Sequence, residues 1–139
     1  MRRRRAHADQ AQADARRLVV ARVIHIRDWN RKNPDEVYIG RAGKGLPGPF
    51  GNPVVINQIC PVCRDVHRDA GSTLACYEVH LRARLRGDAG FRLQVADLRG
   101  RTLVCFCKPR PCHGDVLSRI SDEVATGAFD AQSRMGVAA

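Results

Sequence analysis

Val19, Val20, Val23, Ile24 and Ile26 crowd residues 18–26 with β-branched side chains, a pattern that predicts a first strand there. Asn33-Pro34-Asp35 then signals a turn, and Val37-Tyr38-Ile39 a short second strand. Residues 40–53 hold Gly40, Gly43, Gly45, Gly48 and Gly51 with Pro47, Pro49 and Pro53, too many breakers for regular structure, so a loop is expected, followed by a brief extended stretch at residues 54–56. From Ser72 or Thr73 as N-cap to Gly87, the residues Leu74, Tyr77, Leu81 and Leu85 fall on one face of a helix. A weaker helical pattern covers about residues 89–98. Gly100-Arg101 turns the chain into an apolar strand at 102–107, and a last helix runs from Cys112 or His113 to Ala125 with Val116, Leu117, Ile120 and Val124 as its apolar stripe. Strands and helices alternate, which predicts a single compact α/β domain: a small sheet with packed helices over residues 18–126 and a Cys-rich insertion at about 57–70. A basic arm at 1–17 and a loose tail at 127–139 flank it.

Composition narrows the class. A chain of 139 residues, 44% hydrophobic and 27% charged, matches soluble globular proteins and excludes disordered, collagen-like and membrane-embedded chains. Its longest apolar runs, residues 18–21 and 103–106, fall far short of the roughly 20 residues a bilayer span needs. The formal net charge is +10, and of 24 basic residues only Lys32, Lys44 and Lys108 are lysine. Guanidinium suits bidentate contacts with phosphate or carboxylate, so anionic partners are favoured, although an Arg-rich, Lys-poor chain is also what a G+C-rich genome produces. The excess is shared: residues 1–17 carry six Arg against Asp9 and Asp14, and the body carries 18 basic against 12 acidic residues. Met1-Arg-Arg-Arg-Arg5 is followed by polar residues and not by the apolar run of a signal peptide, so no export signal is read and the cytoplasm is the expected compartment. There, six cysteines point to metal ligation, catalysis or plain burial and not to disulfides.

The densest candidate chemistry lies in Cys105-Phe-Cys107-Lys108-Pro-Arg110-Pro-Cys112-His113-Gly114-Asp115. Cys107 falls at the carboxyl edge of the third strand, where open α/β sheets bind ligands, and the next helix offers unpaired N–H groups there. Lys108, Arg110 and the backbone at Gly114 are expected to favour a phosphate or other anion, and the same charges would activate a thiol at the helix start. Cys112 and Cys107 are candidate nucleophiles or pocket walls, and His113 and Asp115 candidate proton-transfer groups; simple burial of each Cys and simple helix capping by Asp115 are the structural alternatives.

A second constellation is Cys60-Pro-Val-Cys63-Arg-Asp-Val-His67, with Cys76 beyond it. Cys-x2-Cys is a tight metal half-site because two thiolates in one turn reach a common tetrahedral centre, so zinc is the candidate ion on Cys60, Cys63, His67 and Cys76. Cys76 falls inside a predicted helix, which leaves open whether Cys105, Cys107 or Cys112 completes the site instead, or whether the thiols are unconnected. No organic cofactor is expected. The third constellation, Gly40-Arg41-Ala-Gly43-Lys44-Gly45, lacks the Gly-Lys-Ser/Thr spacing of a P-loop. Its glycines nonetheless permit close backbone approach to a ligand, and Arg41 follows a strand end.

In their order along the chain, Val37-Tyr-Ile-Gly40-Arg41, Gly51-Asn52-Pro53, Leu98-Arg-Gly100-Arg and Cys105-Phe-Cys107 to Cys112-His113-Gly-Asp115-Val-Leu resemble the small bacterial and phage family described as domain of unknown function 4326. The resemblance spans about residues 20–125. It implies a compact α/β domain whose Gly-Arg loop, Gly-Asn-Pro turn with Asn52, and Cys-His motif share a pocket. Here the loop before Gly-Asn-Pro is longer than in the simpler pattern, and residues 60–67 look inserted. Three functions remain: a domain that binds or acts on a nucleotide, nucleoside or nucleic-acid-derived anion; a zinc-stiffened nucleic-acid-binding module using the Arg tail with Arg82, Arg84, Arg86, Arg92, Arg99 and Arg101; or a phage or host interaction protein. Neither paired carboxylates nor a nucleophile elbow specifies a reaction.

Overall fold

A computed structural model describes residues 21–43 and 45–130. The expected basic arm at 1–17, the start of the first strand at 18–20, Lys44, and the tail beyond residue 130 lie outside the described residues. Strand β1 (Arg22–His25) leads into a 3-10 turn (Ile26–Asp28), and β2 (Glu36–Tyr38) follows. After the glycine-rich loop and the Cys-rich insertion come helices α1 (Leu74–Gly87) and α2 (Ala89–Ala96), strand β3 (Thr102–Cys105) and helix α3 (His113–Thr126).

The sheet is parallel in the order β1-β3-β2, with Val23 and Val37 both opposite Leu103. A central parallel strand is covered on both faces, which is why Leu103, Val104 and Cys105 are a continuous apolar run and all fully buried. Helix α3 lies against β1 and β3, and α1 and α2 pack on it. Tyr77, Leu81 and Leu85 from α1, Phe91 and Val95 from α2, and Val116, Leu117 and Ile120 from α3 form the core with Ile39 and Leu103. The helical stripes read from the sequence are therefore the faces that pack. Among the described residues no helix is long and apolar enough to cross a membrane.

The boundaries differ from the sequence pattern for local reasons. Strand β3 ends at Cys105 and not at Cys107, because the chain turns and leaves Phe106 60% exposed. Residues 54–56 form no strand: Arg41 binds the carbonyl of Val54 and the Asn52 side chain binds its N–H, which leaves neither for a ladder. Helix α2 stops at Ala96, since Arg101 Nε bonds the Asp97 carbonyl and the chain turns back toward β3. Residues 127–130, expected to be loose, pack: Phe129 is buried in the core and Asp130 pairs with Arg92.

Candidate functional site

Because the three strands are parallel, their carboxyl ends meet on one side of the sheet, and there a cleft of about 900 Å³ opens. Each strand delivers residues at or just past its end: His25 and Arg27 from β1, Gly40 and Arg41 after β2, and Phe106, Cys107 and Lys108 after β3. Asn52, Arg110 and His113 complete the part of its wall foreseen from the sequence. The Gly-Arg loop and the start of the last helix, more than seventy positions apart, thus share one cavity.

Arg41 is fixed by its own neighbours. Its Nε donates to the carbonyl of Asn52 at 2.8 Å and its Nη2 to that of Val54 at 3.1 Å, so the guanidinium staples the loop while its charge stays at the cleft. Tyr38 Oη donates to the Arg41 carbonyl at 2.9 Å, folding the tyrosine over Gly40. A Cβ at Gly40 would collide with the Tyr38 ring, so a side chain there requires the tyrosine to move. Asn52 has its side chain occupied: Nδ2 donates to Thr73 Oγ1 at 3.1 Å and Oδ1 accepts from Val54 N at 2.9 Å. The first bond leaves α1 without a side-chain cap from Thr73.

His113 is only 6% exposed. Its Nε2 faces the carbonyl of Ile39 at 2.7 Å, which can only accept, so Nε2 carries the proton and Nδ1 bears the lone pair. The ring edge also meets Tyr77 at 5.2 Å. Burial, reinforced by the charge of Arg41, pushes the imidazole below its ordinary pKa of 6.5, against the pull of the Ile39 carbonyl. A neutral imidazole bridging β2 to α3 is first a tie between elements.

Three of the sequence-derived candidates stand outside the cleft lining. Cys112 is fully buried as the N-cap of α3, and Gly114 N–H is already taken by Cys112 Sγ at 3.3 Å, so it is not a free donor for an anion. The glycine serves packing instead, since a Cβ there would lie 2.8 Å from Ile39 Cδ1. Asp115 caps its own helix through the Cys112 N–H at 3.3 Å and binds Lys108 Nζ at 2.6 Å. His25, Arg27, Tyr38 and Phe106 were missed as wall residues. The strand-end rule applied to β3 would have found the first three if applied to β1 and β2 as well, whereas Phe106 falls inside the strand expected over 102–107.

Four cations, Arg27, Arg41, Lys108 and Arg110, line the cleft, and among the described residues no carboxylate does. Lys108 is held protonated by Asp115. Beside them, Phe106 meets the edge of Tyr38 at 6.2 Å, and Tyr38 stacks on Trp29 at 5.8 Å, giving an aromatic row that ends exposed in the cleft. Most of the arginines considered for nucleic-acid phosphates are engaged elsewhere. Arg82 pairs with Glu78 and Glu123, Arg99 with Asp122 and Arg101 with Asp97, while Arg84 lies over the Phe91 ring and binds the Pro49 carbonyl.

The cysteines separate into two groups. Cys60, Cys63, His67 and Cys76 bring one ligand atom each within 4.8 Å of the others. The local cause is a tight hairpin: Ile59 bridges Val66, Cys60 N donates to Asp65 O, and Arg64 adopts φ +67° at the bend. Cys60 Sγ accepts from Val62 N at 3.3 Å and Cys63 N at 3.5 Å, and Cys63 Sγ lies 3.4 Å from His67 Nε2. Burial resists ionisation of Cys60, yet the N–H groups of Cys63 and Val62 hold its thiol down at about 6, while burial and the neighbouring Cys60 and Cys63 push Cys76 up to about 11. Cys76, the third residue of α1, therefore does reach the hairpin; four such ligands could hold a metal ion. Cys105, Cys107 and Cys112 form the other group, also within 4.8 Å of one another. Side-chain bonds from Cys107 and Cys112 favour the thiolate of Cys105, and Cys105 in turn holds Cys107 and Cys112 protonated.

The molecule is thus a small parallel α/β domain with a cationic, aromatic-edged cleft at its strand ends and two thiol clusters. It belongs to the family described as a domain of unknown function (DUF4326), which matches residues 23–123. Among curated proteins it is similar to the "Uncharacterized 12.4 kDa protein in nrdA-td intergenic region" of Enterobacteria phage T4, 33% identical over 70 residues. That match covers 48% of this chain and 65% of the phage protein, just under two thirds of its length. No solved structure matches.

Proposed function

We propose that the cleft binds a small phosphate-bearing ligand with an aromatic ring, the chemistry of a nucleotide. The observation that carries this reading is a cavity lined by Arg27, Arg41, Arg110 and the Asp115-paired Lys108, with no carboxylate along its described wall and edged by the exposed ring of Phe106. Its volume of about 900 Å³ lies in the range of roughly 300–1,000 Å³ typical of small-molecule sites. Cations supply the attraction for phosphate and a ring edge supplies a stacking surface for a base. A nucleic-acid-binding role draws less support, because Arg82 of α1 and Arg99 and Arg101 of the turn before β3 are tied to Glu78, Glu123, Asp122 and Asp97.

Trp29 is the chain's only tryptophan and stacks on Tyr38, so its fluorescence reports on the cleft. Titration of the full chain with a nucleoside monophosphate should change that signal at lower concentration than the matching nucleoside or inorganic phosphate, and Arg110→Ala should weaken the response. No response and no heat of binding at millimolar monophosphate would overturn the reading. We propose in addition that zinc is the ion on Cys60, Cys63, His67 and Cys76, bracing the inserted hairpin against α1; the set is a Cys3His site, a common structural zinc donor set.

A further inference from the structure

We propose that Cys105, Cys107 and Cys112 form a second zinc site, independent of the inserted hairpin, with a fourth coordination position open on the cleft side. Three observations carry it. The first is spacing. Tetrahedral zinc with Zn–S of about 2.3 Å sets its sulfurs about 3.8 Å apart. The three sulfurs all lie within 4.8 Å of one another, too close to leave room for a multi-iron cluster between them. The nearest pair, Cys105 and Cys112 at 2.7 Å, needs to part by about an ångström to admit the ion, with the same bond length setting the separation.

The second observation is the backbone around the sulfurs. Cys60 Sγ accepts N–H bonds from the residues two and three positions ahead, Val62 and Cys63. The second cluster has a donor of the same kind. Cys112 Sγ accepts from Gly114 N at 3.3 Å, at the positive end of α3. N–H groups converging on sulfur stabilise thiolate, and a metal lets several thiolates stand together where bare charges would repel.

The third concerns access. Cys105 and Cys112 are fully buried, while Cys107 is half-buried and lines the cleft. His113 Nδ1 lies 3.8 Å from Cys112 Sγ but not within 4.8 Å of all three sulfurs, so among the described residues no fourth Cys, His, Asp or Glu completes the cluster. Three protein ligands with one vacant position facing a cavity is the arrangement of an exchangeable, not a sealed, zinc site. The ligand at that position comes from the cleft, so this site and the nucleotide reading are tested separately.

Metal analysis of the purified full chain should find about two zinc per molecule, falling to about one in Cys107→Ser and also to about one in Cys63→Ser. Cobalt loaded into Cys63→Ser should show thiolate-to-metal charge transfer with tetrahedral ligand-field bands, and added imidazole should shift those bands by occupying the fourth position. One zinc in the parent chain, unchanged in Cys107→Ser, would overturn the proposal. So would a Cys105–Cys112 disulfide in peptides from protein alkylated anaerobically, and bands indifferent to imidazole would overturn the open position. Should Cys107→Ser fail to fold, Cys107→His keeps a ligand atom at the same place and is expected to retain two zinc; loss to one there would count against the site.

Discussion

Phe106 and Gly114 show how differently single residues of one motif are used. Phe106 leaves the core where β3 ends and is 60% exposed, so its truncation to alanine should change stability by no more than about 0.5 kcal/mol in urea denaturation. If its ring stacks on the base, nucleotide affinity should fall by about 1–3 kcal/mol, roughly 5- to 150-fold, by isothermal titration. Gly114→Ala should do the reverse. Its added methyl meets Ile39 Cδ1 at 2.8 Å and Val23 Cγ1 at 2.9 Å, so overpacking should cost about 1–3 kcal/mol of stability despite alanine's better helix propensity. Gly40, Arg41, Asn52, Cys107, Lys108, Arg110 and His113, singled out in the sequence, line one cleft, and apart from Asn52 they lie near strand ends or a helix start, which are readable in a sequence. The sequence did not reveal that the Gly114 N–H would be taken by a sulfur two residues back, since the side-chain direction of Cys112 leaves no trace in spacing.

At the scale of elements, α1 and α3 are joined by charge as well as by apolar packing. Glu78 receives Arg82 at 3.0 Å and also Arg119 of α3, and Arg82 reaches Glu123 at 3.0 Å. The bonds from Arg119 and Arg82 hold the Glu78 carboxyl below its ordinary 4.5 against the opposing effect of burial. A group whose pKa is lower when folded stabilises the fold above its ordinary value and loses that contribution as the pH falls through the folded one. Glu78→Gln should therefore cost about 1 kcal/mol near neutrality, as for a partly buried pair still screened by solvent, and the gap between variant and parent should close progressively below pH of about 4.5 in denaturation midpoints. The hairpin offers a second check at this scale. In Cys63→Ser, proteolysis should cut residues 57–67 faster while α1 keeps its helical signal, since the core of α1 rests on Tyr77, Leu81 and Leu85 and not on the hairpin. The helices were legible from periodicity because their apolar stripes are long. The strands were less so, because three or four residues are too few for a period to declare its ends, and Cys76 could be placed on the hairpin only once the chain's path between residues 67 and 74 was known.

For the whole molecule, the net charge of +10 is the excess left once every carboxylate is counted, and among the described residues Arg82, Arg99 and Arg101 are each paired with a carboxylate. Around the cleft, Arg27, Arg41, Lys108 and Arg110 stand together. Nucleotide binding should therefore weaken as ionic strength rises from about 0.01 to 0.15 M, over which the screening length shortens from about 30 to 8 Å, whereas a salt-independent affinity would mean that the cations do not act on the ligand. The α/β class followed from alternation alone; the order of the strands did not, as no local signal says that the last strand lies in the middle.

That order governs how the polypeptide must be made. While a ribosome is still short of residue 102, β1 and β2 have no hydrogen-bonding neighbour, for each pairs only with β3. The emerging chain carries two orphan edges until β3 is made, and such edges invite association with other chains. A polypeptide halted at residue 100 should consequently form no sheet by circular dichroism and sediment as aggregate, making translation of β3 the moment at which the sheet becomes possible.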